Sequence, residues 1–316
     1  MTGLHSIFSR HVPFCRSGRT WWSSSPGGLD VVLVSIARFL GVRAPQRQVL
    51  AEAAMAPRIL YLHGLEGAPG SERQKQLENV FGKRNVKGVN LKTRQTIMLF
   101  TLIFSAVVLV ALCSFVACFI LTKWYVSVTV TLVGVAVLAV AYWVAGRGAT
   151  HYMMRKAVAN AEKKFREFRP NVIVAETFGA VVALNMDVPK VALVLLAPAQ
   201  DQFARFMKLS YCSIADYPYA MIVHGSVDKT VPLDDSIRLV ETSEVGRCRL
   251  EVVDDGHSLK SLTEEDLKTW VEEVFTSGRA QALQMARAGN KHVDPSLFGE
   301  PESGDEYKSI DKETEV

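Results

Sequence analysis

Three segments of this chain carry side chains that can together perform nucleophilic catalysis. An apolar strand ending at Ala175 leads into a helix through the turn Ala-Glu-Thr-Phe-Gly, with Thr177 at its centre. The small residues two positions before and after the hydroxyl, Ala175 and Gly179, permit a sharp turn that exposes it. Asp228 and His257 follow two later apolar strands. A hydroxyl, a carboxylate and an imidazole can act as nucleophile, orienting acid and general base.

These segments resemble the α/β-hydrolase superfamily, whose nucleophile elbow is written G-x-S-x-G and whose catalytic residues follow the chain order nucleophile, acid, histidine. Residues 222–232 resemble the strand and acid-bearing loop, and residues 253–259 resemble the loop that supplies the histidine. Taken singly, Asp228 could cap a loop and His257 could be a surface histidine, but their joint order indicates a site. The resemblance implies a triad of Thr177, Asp228 and His257.

The resemblance is closest to the compact esterase branch, which lacks a large cap domain. It implies hydrolysis of an ester or thioester through an acyl-enzyme. His63-Gly64-Leu65 follows the first strand, so the backbone N–H groups of Leu65 and Phe178 would form the oxyanion hole.

Threonine departs from the family's serine, because its β-branch adds a methyl group and makes a positive φ more costly. Two interpretations therefore stay open. One is a hydrolase with a variant Thr-His-Asp triad, acting on lipid-derived acyl groups. The other is a catalytically inactive membrane protein that keeps the hydrolase fold as a binding or assembly module.

The catalytic side chains need a sheet to position them, and the sequence predicts one. Short apolar runs predict strands and amphipathic runs predict helices in alternation, which is typical of a parallel α/β sheet. The predicted strands are Ile59–Leu62, one between Val86 and Leu91, Val172–Val174, Val191–Leu196, Ala220–His224 and Arg249–Val253. The predicted helices are Ser71–Phe81, capped by Ser71, Tyr152–Phe168, and two that begin at Asp234 and Thr263.

A long apolar region interrupts this pattern. Residues 95–122 and 124–146 contain no Asp, Glu, Lys or Arg, and Lys123 alone separates them. Each run reaches the ~20 residues that cross a bilayer core, so we expect a transmembrane hairpin over residues 95–146, with spans at about 96–121 and 125–146. The hydrolase domain is then formed by residues 58–94 and 147–277, and a buried globular hairpin is the alternative.

The charges around the apolar region predict its orientation. Basic residues flank it on both sides, whereas the turn carries only Lys123. The positive-inside rule places both flanks, and hence both termini, on the cytosolic side or its equivalent. The lipid bilayer is the predicted partner.

The two ends of the chain differ from the rest. Residues 1–57 form an arginine-rich leader, either a mitochondrial or other targeting segment or a disordered one. Residues 278–316 comprise the end of the last helix and an acid-rich tail, expected to be disordered from residue 290. The terminal Thr314, Glu315 and Val316 have the form of a PDZ-binding motif, a pattern short enough to arise by chance.

Composition argues against several other classes of function. The net charge of +4 arises from 36 basic and 32 acidic residues, a balance too even for a nucleic-acid footprint. The five cysteines have no metal-ligand spacing, and the sequence contains no Walker, dinucleotide-binding or HExxH motif. We expect neither a metal nor a cofactor.

Overall fold

The computed structural model describes residues 56–121, 123–207 and 211–299. The predicted leader up to residue 55 and the proposed PDZ-binding residues Thr314, Glu315 and Val316 lie outside these ranges.

A single parallel sheet organises the described part of the chain. Its six strands lie in the order β2-β1-β3-β4-β5-β6. Because β1 pairs with β2 on one side and β3 on the other, strands from both sides of the apolar region share one sheet. The strands are β1 (Ile59–Leu62), β2 (Val86–Val89), β3 (Val172–Glu176), β4 (Ala192–Leu196), β5 (Ala220–Gly225) and β6 (Cys248–Val253).

Helices connect successive strands, as a parallel sheet requires. They are α1 (Glu72–Phe81), α2 (Thr93–Leu121), α3 (Trp124–Phe168), α4 (Phe178–Leu184), α5 (Gln200–Met207), α6 (Leu233–Glu241) and α7 (Glu264–Arg287), followed by a 3-10 turn (Pro295–Phe298). Ser71 caps α1 through its side chain, as the sequence predicts. Thr263, where the sequence places the start of a helix, caps α7 with a capping box. The predicted α/β fold is confirmed.

Two apolar layers hold the helices against the sheet. On one face, Leu77 of α1 and Leu267 and Val271 of α7 pack on β1, β3 and β4. On the other face, the second half of α3 and the whole of α4 form the larger core. The central strands β3 and β4 are covered on both faces, which explains their nearly unbroken apolar sequence.

The apolar region forms two antiparallel helices that are long and apolar enough to cross a membrane, and their apolar side chains are largely exposed. We call α2 together with residues 124–146 of α3 the apolar hairpin. The hydroxyl of Ser127 donates to the Cys118 carbonyl at 3.3 Å near the turn. Nearer to the end of the hairpin that joins the domain, which we call its base, the ring centroids of Phe104 and Tyr142 lie 4.7 Å apart.

The second apolar helix continues past residue 146. We expected a separate helix over Tyr152–Phe168, but α3 is one helix of 45 residues. Residues 124–168 contain no proline that would break it. Its lower half packs Met154, Ala157 and Phe165 into the core, so a helix roughly 68 Å long joins the hairpin to the domain.

The C-terminal segment also differs from the expectation of a disordered tail from residue 290. Residues 290–299 pack on the domain, with Leu297 and Phe298 buried. Arg169 donates to the Ser296 hydroxyl at 2.6 Å and approaches the Asp294 carboxylate at 3.4 Å. The prediction of disorder was based on the average composition of the segment, which is polar. That average does not reveal two apolar residues, Leu297 and Phe298, that pack on the domain.

Candidate active site

Thr177 lies on a sharp turn between β3 and α4. Its backbone has φ 44° and ψ −99°, a left-handed conformation that is strained for a β-branched residue. The turn brings backbones close together, because a Cβ atom on Gly179 would lie 2.3 Å from the Leu62 carbonyl oxygen. The Thr177 N–H donates to the Leu196 carbonyl at 2.8 Å. These features give the hydroxyl the setting of a nucleophile elbow.

Asp228 lies in the loop after β5, and its side chain is fully buried. Its Oδ1 accepts hydrogen bonds from the N–H groups of Thr230 at 2.7 Å and Val231 at 2.9 Å, while its Oδ2 faces His257. Burial alone would raise the pKa of Asp228, but the bonds from Val231, His257 and Thr230 and the attraction of the imidazolium hold that pKa below its ordinary value. The carboxylate is therefore charged at neutral pH.

His257 joins the acid to the hydroxyl. Its Nδ1–H donates to Asp228 Oδ2 at 2.7 Å, and its Nε2 lies 3.5 Å from Thr177 Oγ1. The second distance is long for a hydrogen bond, as is common at catalytic contacts without substrate. Gly225, at the end of β5, lets the histidine loop approach, since a Cβ atom there would lie 2.4 Å from the Asp255 carbonyl oxygen.

A second histidine supports the acid loop. His224 is fully buried, its Nε2–H donates to the Val231 carbonyl at 3.0 Å, and its Nδ1 accepts from the Ser236 hydroxyl at 2.7 Å. Its Nε2 also lies 3.6 Å from Asp228 Oδ2. The sequence analysis did not single out His224, although it stands within the strand that leads to Asp228.

The predicted oxyanion donors lie on the two loops that flank the nucleophile. Leu65 follows β1, and Phe178 is the first residue of α4. Successive strands are added on one side of β1 and then on the other, so the strand order reverses between β1 and β3. The crevice at such a switch point is where open parallel sheets bind ligands. Among the residues that the structure describes, neither N–H donates a hydrogen bond. The assignment of these two groups to an oxyanion hole stays a prediction.

A groove of about 650 Å³ lies over Thr177 and His257. Its lining is both apolar and polar. The apolar residues are Leu65, Leu196, Ala199, Phe203, Val231 and Leu259, and the polar ones include Glu66, Arg73, Glu176 and Ser258.

Arg73 is the residue of this groove that the sequence analysis missed. Its Nε lies 3.3 Å from a carboxylate oxygen of Glu176, the residue before Thr177. Its Nη2–H donates to the carbonyl of Leu259, two residues after His257, at 2.7 Å. One guanidinium on α1 therefore bonds to both the elbow and the histidine loop. No local pattern in the sequence indicates this contact.

Within the described part of the chain, no group of three or more His, Cys, Asp or Glu side chains could hold a metal ion.

The sheet order, the strained turn after β3, the acid after β5 and the histidine after β6 together define a fold of the α/β-hydrolase type.

Comparisons with known proteins give the following. No family model and no curated protein matches the chain. Among solved structures, Est1E from Butyrivibrio proteoclasticus is 13% identical, over 72% of this chain and 89% of that one, with a TM-score of 0.41. The α/β hydrolase MGS-MChE2, from a sediment metagenome of the Mar Chica lagoon, is 14% identical over 70% and 91%, with a TM-score of 0.37. A thermophilic esterase from Thermogutta terrifontis, with butyrate bound, is 14% identical over 75% and 85%, with a TM-score of 0.33.

Proposed function

We propose that this protein is a membrane-anchored hydrolase of esters or thioesters that uses Thr177 as its nucleophile. The observation that carries the proposal is the continuous chain from Thr177 Oγ1 through His257 to Asp228, with the hydroxyl on a strained turn. Strain of about 1–3 kcal/mol persists in a fold only where the surroundings enforce it, and it is concentrated at functional sites.

The chemistry follows from the roles of the three side chains. His257 Nε2 takes the proton of the Thr177 hydroxyl as Oγ1 attacks the carbonyl carbon, and Asp228 stabilises the imidazolium that forms. The N–H groups of Leu65 and Phe178 bind the developing oxyanion. His257 then returns the proton to the leaving alcohol or thiol. Water, activated by the same imidazole, hydrolyses the acyl-threonine and restores the hydroxyl.

We propose a lipid-derived acyl ester or thioester as the substrate class. The hairpin begins just after β2, at the carboxyl edge of the sheet. The candidate catalytic residues follow β1, β3, β5 and β6 at the same edge. A second, largely apolar cavity of about 300 Å³ lies at the base of the hairpin, where Phe206 of α5 faces Phe100, Tyr142 and Met153. Phe203, one turn earlier on α5, lines the catalytic groove. Acyl chains would thus meet a phenylalanine of α5 in each of the two cavities.

The anchoring itself rests on two exposed apolar helices and on their basic flanks. Two spans return the chain to the side where it began, so we propose that both termini lie on the cytosolic side or its equivalent. Protease treatment of sealed vesicles checks this topology. The leader and the tail should be cut together, and opposite accessibility of the two ends would refute a hairpin.

The alternative is a hydrolase-fold protein that binds or assembles without catalysis. It is favoured by one observation, the additional methyl group of threonine at a position with φ 44°. In this case the groove would hold a ligand, and the Thr177 hydroxyl would not attack it.

Covalent labelling separates the two functions. Purified protein in detergent is treated with a fluorophosphonate probe, alongside Thr177→Ser, Thr177→Ala and, as a matched control, Ser258→Ala in the same groove. We expect the native protein and Ser258→Ala to label at equal rates, Thr177→Ser to label faster, and Thr177→Ala not to label. Labelling that survives Thr177→Ala would exclude Thr177 as the nucleophile. Labelling confined to Thr177→Ser would favour the non-catalytic alternative.

A further inference from the structure

The apolar hairpin begins in contact with the candidate oxyanion loop, residues 63–67. Thr93 is the first residue of α2, and its hydroxyl donates to the Leu65 carbonyl at 2.7 Å. The Thr93 side chain is buried, with 1% exposure. One hydrogen bond, sheltered from water, therefore connects the start of the hairpin to the loop beside the nucleophile.

Thr93 differs from the other threonines described on the hairpin helices. The hydroxyls of Thr96 and Thr101 each donate to the carbonyl four residues earlier on their own helix, at 3.1 and 2.9 Å. Such bonds satisfy the hydroxyl locally and connect no other element. Thr93 instead reaches a residue 28 positions away in the sequence.

A buried histidine, His63, connects the candidate oxyanion loop to Leu91, two residues before α2. His63 Nδ1–H donates to the Gly64 carbonyl at 2.7 Å, and His63 Nε2 accepts from the N–H of Leu91 at 3.4 Å. Burial lowers the pKa of His63, although its bond to Gly64 and the charge of Glu176 act in the opposite direction. The ring is therefore neutral at neutral pH, and Nε2 is free to accept.

These contacts hold both carbonyl groups next to the Leu65 N–H. His63 fixes the carbonyl of the Gly64–Leu65 peptide, which is the peptide that carries this N–H. Thr93 fixes the carbonyl of the following peptide. With both peptides held, the Leu65 backbone has little freedom to rotate, and the direction of its N–H is set.

We propose that Thr93 is a positioning residue through which the apolar hairpin orients the Leu65 N–H toward the reacting carbonyl oxygen. This inference rests on the proposed hydrolase function and deepens it. The hairpin then does more than anchor the domain, because its first residue positions one donor of the proposed oxyanion hole. An oxyanion donor acts mainly on the transition state, so its misplacement lowers kcat and leaves KM nearly unchanged.

The test compares Thr93→Val, which removes the hydroxyl at nearly constant volume, with Thr93→Ser, which keeps it. Thr101→Val is the matched control, since it removes a hydroxyl from the same helix at a position that lines neither the groove nor the cavity at the base of the hairpin. In nanodiscs, with a p-nitrophenyl acyl ester, we expect kcat of Thr93→Val to fall roughly tenfold, less than the loss of a whole oxyanion donor. KM should change by less than about twofold, and Thr93→Ser and Thr101→Val should resemble the native protein.

Hydrogen exchange provides a readout that needs no catalysis. The Gly67 N–H donates to the Gly64 carbonyl at 3.1 Å and reports the order of the loop. We expect the peptide containing residues 63–70 to exchange faster in Thr93→Val than in Thr101→Val. Equal exchange and equal kcat in these two variants would overturn the proposal. If the native protein and Thr177→Ser both fail to turn over ester, the proposed function fails, and exchange alone then decides whether Thr93 orders the loop.

Discussion

At the scale of single residues, the geometry of Thr177 implies a conflict between stability and function. A β-branched residue at φ 44° is strained, and nothing in the fold of α4 requires a hydroxyl at its N-cap, because the Thr177 side chain makes no capping hydrogen bond. Threonine at this position therefore has a cost in stability, and its only described side-chain hydrogen bond is the one to His257.

Glycine at this position should relieve the strain. We expect Thr177→Gly to stabilise the protein by about 1 kcal/mol, or ~2–4 °C in Tm, because glycine adopts positive φ without a steric penalty. Thermal unfolding in detergent measures it. Thr269→Gly, within α7, is the control and should lower Tm, since glycine weakens a helix interior. A lower Tm for Thr177→Gly would mean that packing of the threonine outweighs its strain.

At the scale of elements, α1 supports the candidate triad, although it lies far from all three triad residues in the sequence. Arg73 connects the elbow to the histidine loop, and Leu259, whose carbonyl accepts from Arg73, itself has a positive φ of 46°. The guanidinium has the planar fork that two separate acceptors need, whereas the ammonium of a lysine is a single point charge. The separation of Thr177 from His257 thus depends in part on α1.

Arg73→Lys should consequently slow catalysis while leaving the fold intact. We expect the rate of fluorophosphonate labelling to fall roughly fivefold, since small misplacements of reacting groups can cost up to ~100-fold. Arg249→Gln serves as the control, because Arg249 also bonds two acceptors, Glu251 and Glu273, but at an exposed position outside the groove. Equal labelling rates in the two variants would show that Arg73 has no positioning role.

At the scale of the whole molecule, the described residues of the hairpin add nothing to the two cores of the domain. Within the described part of the chain, every residue of both cores lies outside residues 93–146. The domain should therefore fold without the spans, while the orientation of its groove relative to a bilayer depends on them.

Replacing residues 95–146 with a Gly/Ser linker tests this division. We expect a folded protein whose activity on a short-chain, water-soluble ester falls severalfold, because Thr93 is no longer held by a helix, and whose activity on a membrane-resident lipid ester falls much further. Adding Thr93→Val to the linker variant should cost little more, since coupled changes are not additive. Equal retention of both activities would reduce the hairpin to a tether.

The sequence by itself determined the alternation of strands and helices, the cap of α1, the start of α7, the two apolar helices and the three short motifs that carry Thr177, Asp228 and His257. Each of these signals depends on residues close together in the chain. Periodicity records which face of an element is buried, a capping residue acts within one turn, and a sharp turn requires small residues beside it. Such signals can be read without knowing what packs against what.

Only the tertiary structure decided which distant residues support the site. Arg73 and Leu259 are 186 positions apart, and Thr93 and Leu65 are 28 apart on different elements. The continuity of α3 and the packing of Phe298 likewise depend on surfaces supplied by other segments. A hydrogen bond between elements forms where the sheet brings the two partners together, and one sequence carries no local pattern that reports this proximity.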